Sequence, residues 1–248
     1  MKVIIIAAGS ATRLGKLTDK KPKGLLEING KSIIQRQIEL FKKYNIDDII
    51  IITGPHKEFG ISNVTYVEDV NYENHDVLGS LMTASDFLNG EVLTCYSDIL
   101  FNEEILKQIL NFNGEIGIPI DLDWKKNYVD RTQHPSSEAD NVILKGTTVL
   151  EIRKNISICN SDEIVGEFLG PIIFSKNGSK IFVEKYNALQ KTHHGNFHNA
   201  ISLSKAYLTD MIQELINNDV KIEPILINGT WIEIDTLEDL RKAQKLFF

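Results

Sequence analysis

The sequence predicts an α/β protein: a mostly parallel, mixed sheet flanked by helices on both faces. Three observations carry this. Residues 3–7 form a continuous apolar run rich in β-branched side chains, the pattern of a strand buried on both faces. Similar runs at 48–53 and 91–96 alternate with segments of helical periodicity. After about Ile109 the alternation stops and strands follow one another, which predicts an antiparallel part of the same sheet.

The elements follow in order. Residues 3–7 are the central strand. Ser32 is placed to cap a helix in which Ile33, Ile34, Gln37, Ile38, Leu40 and Phe41 recur at helical spacing. "DIIIIT" at 48–53 is a second buried strand, and 63–68 a third, shorter one. Residues 78–88 read as helix and 91–96 ("EVLTCY") as strand. Strands are expected at 115–120, 142–152 and 167–175, and helices at 177–190 and 200–217. A strand at 221–227 and a helix from Thr236 close the chain. No repeat, low-complexity tract or Pro-rich linker intervenes, so the 248 residues read as one domain.

Composition narrows the function. The formal net charge of -7 argues against a general nucleic-acid surface but not against a local basic pocket for a small anion. Two cysteines are too few for a disulfide framework, and no Cys/His cluster has zinc spacing. The chain opens on a strand without the features of a signal peptide, and its apolar runs are too short to span a bilayer. A cytoplasmic protein with no membrane partner is the expectation. The sequence carries no sign of oligomeric state; a homodimer is the commonest assembly.

The stretch "IIIAAGSATRLGKLTDKKPKGLLEI" holds the first chemistry. Gly9 follows the central strand, at the carboxyl edge where open α/β sheets bind ligands. Small residues at Gly9, Ser10 and Ala11 let backbone N–H groups approach phosphate oxygens. Arg13 offers several donors to a polyphosphate. Lys23, fixed behind Pro22, is suited to neutralise charge at an α-phosphate. A dinucleotide fingerprint fails, because only one glycine precedes Gly15. A P-loop fails too: five residues separate Gly9 from Gly15, and Leu17 follows Lys16. A plain strand-to-helix turn with surface lysines is the competing reading. Gly9, Arg13, Pro22 and Lys23 together favour a nucleoside triphosphate attacked at its α-phosphorus.

"AAGSATRLG" followed by "KKPKGLLEINGKSIIQRQI" resembles the N-terminal signature of the nucleotidyltransferases that make NDP-sugars and CDP-activated small molecules. The resemblance implies a Rossmann-like fold of the nucleotide-diphospho-sugar transferase type. It implies a nucleotide-binding part over 1–110 and an acceptor-binding and closing part over 111–248. It places the triphosphate on Ala7, Ala8, Gly9, Ser10, Ala11 and Thr12, with Arg13 on the leaving pyrophosphate and Lys23 on the α-phosphate.

Such transfer usually needs a divalent cation between carboxylates and phosphate oxygens. Asp98 in "CYSDILF" and Asp235 in "WIEIDTLEDL" both sit at strand ends. By spacing alone Asp98 reads as a turn residue and Asp235 as a helix cap. The family resemblance at both places implies Mg2+ ligands instead, with Glu233 as a possible helper.

"NYENHDVLGSLMTASDFL" resembles the base- and ribose-reading segment of choline-phosphate and phosphonate cytidylyltransferases, through Asn74, Ser80 and Leu81, and departs from it at 75–79. Ser80 as a helix cap is the alternative. "DWKKNYVDRTQHPSSEADNV" gathers Trp124, Lys125, Tyr128, Arg131, His134 and Glu138 in one loop-like region. Lys125 and Arg131 suit an acceptor dianion; Trp124 and Tyr128 suit its organic tail or a quaternary ammonium. The stretch resembles small-acceptor cytidylyltransferases, as do "VGEFLGPIIFS", "AYLTDMIQELI" and "NGTWIEIDTLEDLRKA". The resemblance places Asp210 near the acceptor, and Trp231 is a further candidate for a cage. A surface loop with His134 capping a turn at Pro135 is the alternative. His193, His194 and His198 read as loop residues.

The implied reaction joins CTP to a small phosphonate or phosphate monoester: 2-hydroxyethylphosphonate, 2-aminoethylphosphonate, phosphocholine or a phosphorylated amino-acid derivative. A sugar-1-phosphate nucleotidyltransferase using UTP or dTTP, a molybdenum-cofactor guanylyltransferase and a non-catalytic nucleotide-binding regulator are the rivals.

Overall fold

The computed structural model describes residues 1–9, 14, 21–55, 59–156 and 160–248. After β1 (Lys2–Ala7), a small hairpin pairs β2 (Glu27–Ile28) with β3 (Lys31–Ser32). Asn29 and Gly30 turn it with φ of 50° and 80°, the left-handed pair that Asn-Gly supplies cheaply. Then come α1 (Ile33–Lys43), β4 (Asp48–Thr53), β5 (Thr65–Glu68), α2 (Val77–Thr83), β6 (Val92–Tyr96), β7 (Ile99–Phe101) and α3 (Glu103–Leu110). The second half holds β8 (Ile116–Asp121), β9 (Asp140–Lys145), β10 (Thr148–Lys154), β11 (Ile164–Phe168), β12 (Ile172–Phe174), α4 (Lys176–Thr192), α5 (Leu208–Asn217), β13 (Glu223–Leu226), β14 (Trp231–Glu233) and α6 (Leu237–Leu246).

One mixed sheet organises the described residues. Its parallel part runs β5–β4–β1–β6. β12 joins β6 antiparallel, β8 joins β12 antiparallel, and β13 lies parallel to β8. β11 pairs with the far end of β8, and β9 and β10 extend the sheet beyond it. Between β11 and β12, Gly170 has φ +102°, and a Cβ there would lie 2.6 Å from the Tyr96 ring, so the bend excludes a side chain. β1 is buried on both faces, as its apolar run requires. Ile4 and Ile6 pack with Leu78 and Leu81 of α2, Phe182 of α4 and Met211 of α5. Val3 and Ile5 pack with Ile38 and Phe41 of α1 and Ile105 and Ile109 of α3.

Four expectations change in detail. The strand expected over 167–175 is two, β11 and β12, divided at Gly170. The strand expected over 142–152 is two, β9 and β10, turned at Gly146 with φ +59°. The helix expected over 200–217 begins only at Leu208. Asp210 accepts the Tyr207 N–H at 2.9 Å and fixes the start there, while Ser202 and Ser204 bond each other in the preceding turns. The helix expected over 78–88 is the seven-residue α2 followed by a short 3-10 turn at Ser85–Phe87. Ser32 caps α1 as its position suggested, accepting the Gln35 N–H at 3.2 Å. Among the described residues no helix is long and apolar enough to cross a membrane.

Candidate active site

A cavity of about 640 Å³ opens at the carboxyl ends of β1 and β6, lined there by Ala7, Gly9, Tyr96, Ser97 and Asp98. β4 and β6 flank β1 on opposite sides, so this is where the strand order reverses and where open α/β sheets bind ligands.

Three separate elements bring charge to its floor. Asp98 follows β6 directly. β14 pairs antiparallel with β7, and the Ile234 N–H donates to the Asp98 carbonyl at 3.0 Å, which sets Asp235 beside Asp98. Lys23 starts a 3-10 turn behind Pro22; Gly24, whose Cβ would stand 3.2 Å from the Ser97 Cβ, lets that turn close on the site. The Lys23 Nζ then donates to Asp98 Oδ2 at 2.7 Å and to Asp235 Oδ1 at 2.5 Å. Burial opposes the charged lysine, but Asp98, Asp235 and Glu233 outweigh it and hold the ammonium well above its ordinary pKa. Burial, then repulsion from Asp235 and Asp98, pushes Glu233 well above the usual carboxylate range.

The helix-cap alternative for Asp235 does not hold. Thr236 caps α6, its Oγ1 accepting the Asp239 N–H at 3.3 Å, while Asp239 Oδ2 accepts the Asp235 and Thr236 N–H groups at 3.1 and 2.8 Å. The Asp235 side chain faces Lys23 instead.

Residues 3–119 match the family model of the MobA-like NTP transferase domain. The CTP:phosphoglutamine cytidylyltransferase of Campylobacter jejuni is 26% identical, over 97% of this chain and 98% of that protein. The choline-phosphate cytidylyltransferase of Streptococcus pneumoniae is 52% identical over 58 residues, 23% of this chain and 25% of that protein. By the first of these matches, residues 3–119 carry a nucleotidyltransferase domain. The fold of the chain also superposes on the CTP:phosphocholine cytidylyltransferase LicC of Streptococcus pneumoniae with a TM-score of 0.74, at 21% identity, covering 100% of this chain and 99% of that one. The sheet is thus the nucleotide-diphospho-sugar transferase type expected from the sequence.

The donor set of this site fits a divalent cation. Asp98 Oδ1 is buried without a hydrogen-bond partner among the described residues. His134, Glu233 and Asp235 each offer a ligand atom within 4.8 Å of the others. Carboxylate oxygens suit Mg2+. His134 Nδ1 comes within 2.9 Å of Asp235 Oδ2, but neither ring nitrogen makes an aligned hydrogen bond.

The other candidate residues divide. Ala7, Gly9, His134, Asp210 and Trp231 line the cavity, and Ala8 lies between the first two on the same strand end. Ser10, Ala11, Thr12 and Arg13 lie outside the described residues. Asn74 is exposed and does not line the cavity. Ser80 is neither cap nor cavity residue: it lies within α2, and its Oγ donates to buried Asp69 at 2.8 Å. Trp124 is buried in packing, its Nε1 donating to the Val165 carbonyl at 3.3 Å, and exposed Lys125 lies over its ring. Tyr128 packs edge-on against Trp124 and donates its hydroxyl to Glu167 Oε1. Arg131 is buried, with Nε 2.6 Å from Asp239 Oδ1, and ties this loop to α6 rather than facing the cavity. Lys125, Arg131, Trp124 and Tyr128 therefore form no clamp or cage at the cavity wall.

Sequence reasoning passed over Tyr96, Asp140, Glu167 and Tyr207, all cavity-lining. A lone glutamate inside the apolar strand "IVGEF" is the signal that marks Glu167, because charged residues enter strand interiors rarely.

Proposed function

We propose that this protein is a CTP-dependent cytidylyltransferase that joins CMP to a small phosphate monoester or phosphonate and releases pyrophosphate. The observation that carries the reading is Lys23 held between Asp98 and Asp235 at the mouth of β1 and β6. Likeness to the phosphoglutamine enzyme over nearly the whole chain supports CTP and a small acceptor over a sugar nucleotide. Residues 1–248 are taken as one domain, acting in the cytoplasm.

In this reading an anionic acceptor oxygen attacks the α-phosphorus in line. The new P–O bond forms as the bond to the pyrophosphate oxygen breaks, and the bonding pair leaves with pyrophosphate. No general base is needed, because the nucleophile is already an anion. The protein positions the reactants and offsets charge. Lys23 holds its ammonium against the α-phosphate, and Gly9 lets backbone approach the phosphates. Asp98 and Asp235 would hold Mg2+, which supplies charge neutralisation on the phosphate oxygens. Arg13 is assigned to the leaving pyrophosphate by resemblance.

The test is product chemistry. Phosphorus NMR after incubation with CTP, Mg2+ and phosphocholine, a phosphorylated amino-acid derivative or 2-aminoethylphosphonate should show a new CMP-linked phosphorus pair and free pyrophosphate. CTP hydrolysis without a joined product would contradict the reading.

A further inference from the structure

The acceptor end of the cavity is acidic. Glu138, Asp140, Glu167 and Asp210 line it, with Arg153 and Lys154 as cations on the same wall. Both cations have acidic partners: Lys154 Nζ lies 2.9 Å from Glu138 Oε2, and Arg153 Nε donates to Glu151. Asp140 and Glu167 remain as acidic groups on the space, with Asp210 behind them accepting the Tyr207 and Asn199 N–H groups at 2.9 and 3.4 Å. A wall of this kind opposes a purely anionic guest and favours one with a positive end.

Glu167 adds an independent observation. It is 4% exposed, on β11, and lines the cavity. The Tyr128 hydroxyl takes Oε1, while Oε2 is buried with no hydrogen-bond partner among the described residues. A buried, unpaired carboxyl oxygen is costly and calls for a donor. Asn141, its register partner on β9, is also unpaired at Nδ2 but is not among the cavity-lining residues. Burial pushes Glu167 up to about 8 against the opposing pull of Tyr128 and Arg131, so an arriving cation would draw it back to the charged form.

Tyr96, Phe168, Tyr207 and Trp231 put aromatic rings on the cavity wall, so the choice between an amine and a quaternary ammonium turns on the acidic groups. Trp124 and Tyr128 are turned into packing, and the Trp231 Nε1 donates to Asp121 Oδ2 at 2.8 Å. Carboxylate oxygens want N–H donors, which a quaternary ammonium lacks.

Resting on the cytidylyltransferase reading, we infer that the acceptor carries a protonated primary ammonium, bound at Glu167 Oε2 with Asp140 and Asp210 nearby, while its phosphate or phosphonate points to Lys23. Tyr128 is a positioning residue in this scheme: it occupies Oε1 and leaves Oε2 for the ligand.

The experiment compares kcat/KM, by pyrophosphate release with CTP and Mg2+, for O-phosphoethanolamine, phosphocholine and propyl phosphate. The expected result is a preference of about tenfold or more for the primary amine over both others, the scale of a charge-assisted hydrogen bond. In Glu167→Gln the amine-to-propyl ratio should fall by about tenfold. Asp140→Asn, nearer the strand end, should lower the same ratio less and guards against a fold defect in the first variant. Equal efficiencies, or a preference for phosphocholine, would overturn the inference while leaving the cytidylyltransferase reading intact. Pyrophosphate release with no acceptor of any class would overturn that reading and this inference with it.

Discussion

The Lys23 ammonium stands 2.5 Å from the Asp235 carboxylate, a contact between residues 212 positions apart, and Asp98 closes the other side at 2.7 Å. One ammonium thus lies between two carboxylates, and the proposed function gives it a catalytic task as well. Lys23→Ala should lower turnover by about 10²-fold, the scale of losing one charge-stabilising donor. It should also leave Asp98, Asp235 and Glu233 repelling one another. Its melting temperature in EDTA should fall, and Mg2+ should restore more of it than in the wild type, because a cation then binds an uncompensated acidic site. Indifference to Mg2+ in that variant would argue against Asp98 and Asp235 as metal ligands.

Arg131 should matter for stability. Its side chain is 7% exposed and that of Asp239 1%, so Arg131→Ala strands a buried carboxylate. The expected cost is about 3–5 kcal/mol in urea denaturation, the usual result of breaking a buried pair from one side. A cost near zero would mean that the pair is solvated.

Glu167 gives the stability a pH dependence. Its carboxyl moves from an ordinary 4.5 to about 8, chiefly through burial. Between those values the folded protein holds the proton and the unfolded chain does not, so the folded state binds more protons and stability falls as pH rises. Glu167→Gln should flatten the decline between about pH 5 and 8 in denaturation curves taken without ligand.

Two glycines should separate fold from function. A Cβ on Gly54 would lie 2.2 Å from the Ala8 carbonyl, so Gly54→Ala should lower the melting temperature and disturb the end of β1. Among the described residues a Cβ on Gly9 meets nothing within 4 Å, so Gly9→Ala should melt near the wild-type temperature yet bind CTP more weakly. Equal CTP affinity in Gly9→Ala would remove Gly9 from the phosphate site.

Legibility followed the range of the interactions. The buried strands at 3–7 and 48–53 and the capping Ser32 announce themselves locally, through periodicity and position, whereas Asp98 and Asp235 stand out only through the family resemblance. Arg131 does not announce its role, because the same arginine suits a phosphate or Asp239 and only the packing of the loop on α6 decides. Trp124 and Tyr128 mislead for the same reason. Glu167 is one of 34 acidic residues, and its isolation among apolar neighbours becomes informative only once β11 is seen to border the cavity. The bend at Gly170 and the turn at Gly146 divide strands whose apolar patterns run on without a break.

The most direct test crosses four nucleoside triphosphates with small phosphates, small phosphonates and sugar-1-phosphates in Mg2+, reading pyrophosphate release. The account predicts release with CTP and a small acceptor, lost in Lys23→Ala. Release only with UTP or dTTP and a sugar-1-phosphate would contradict it.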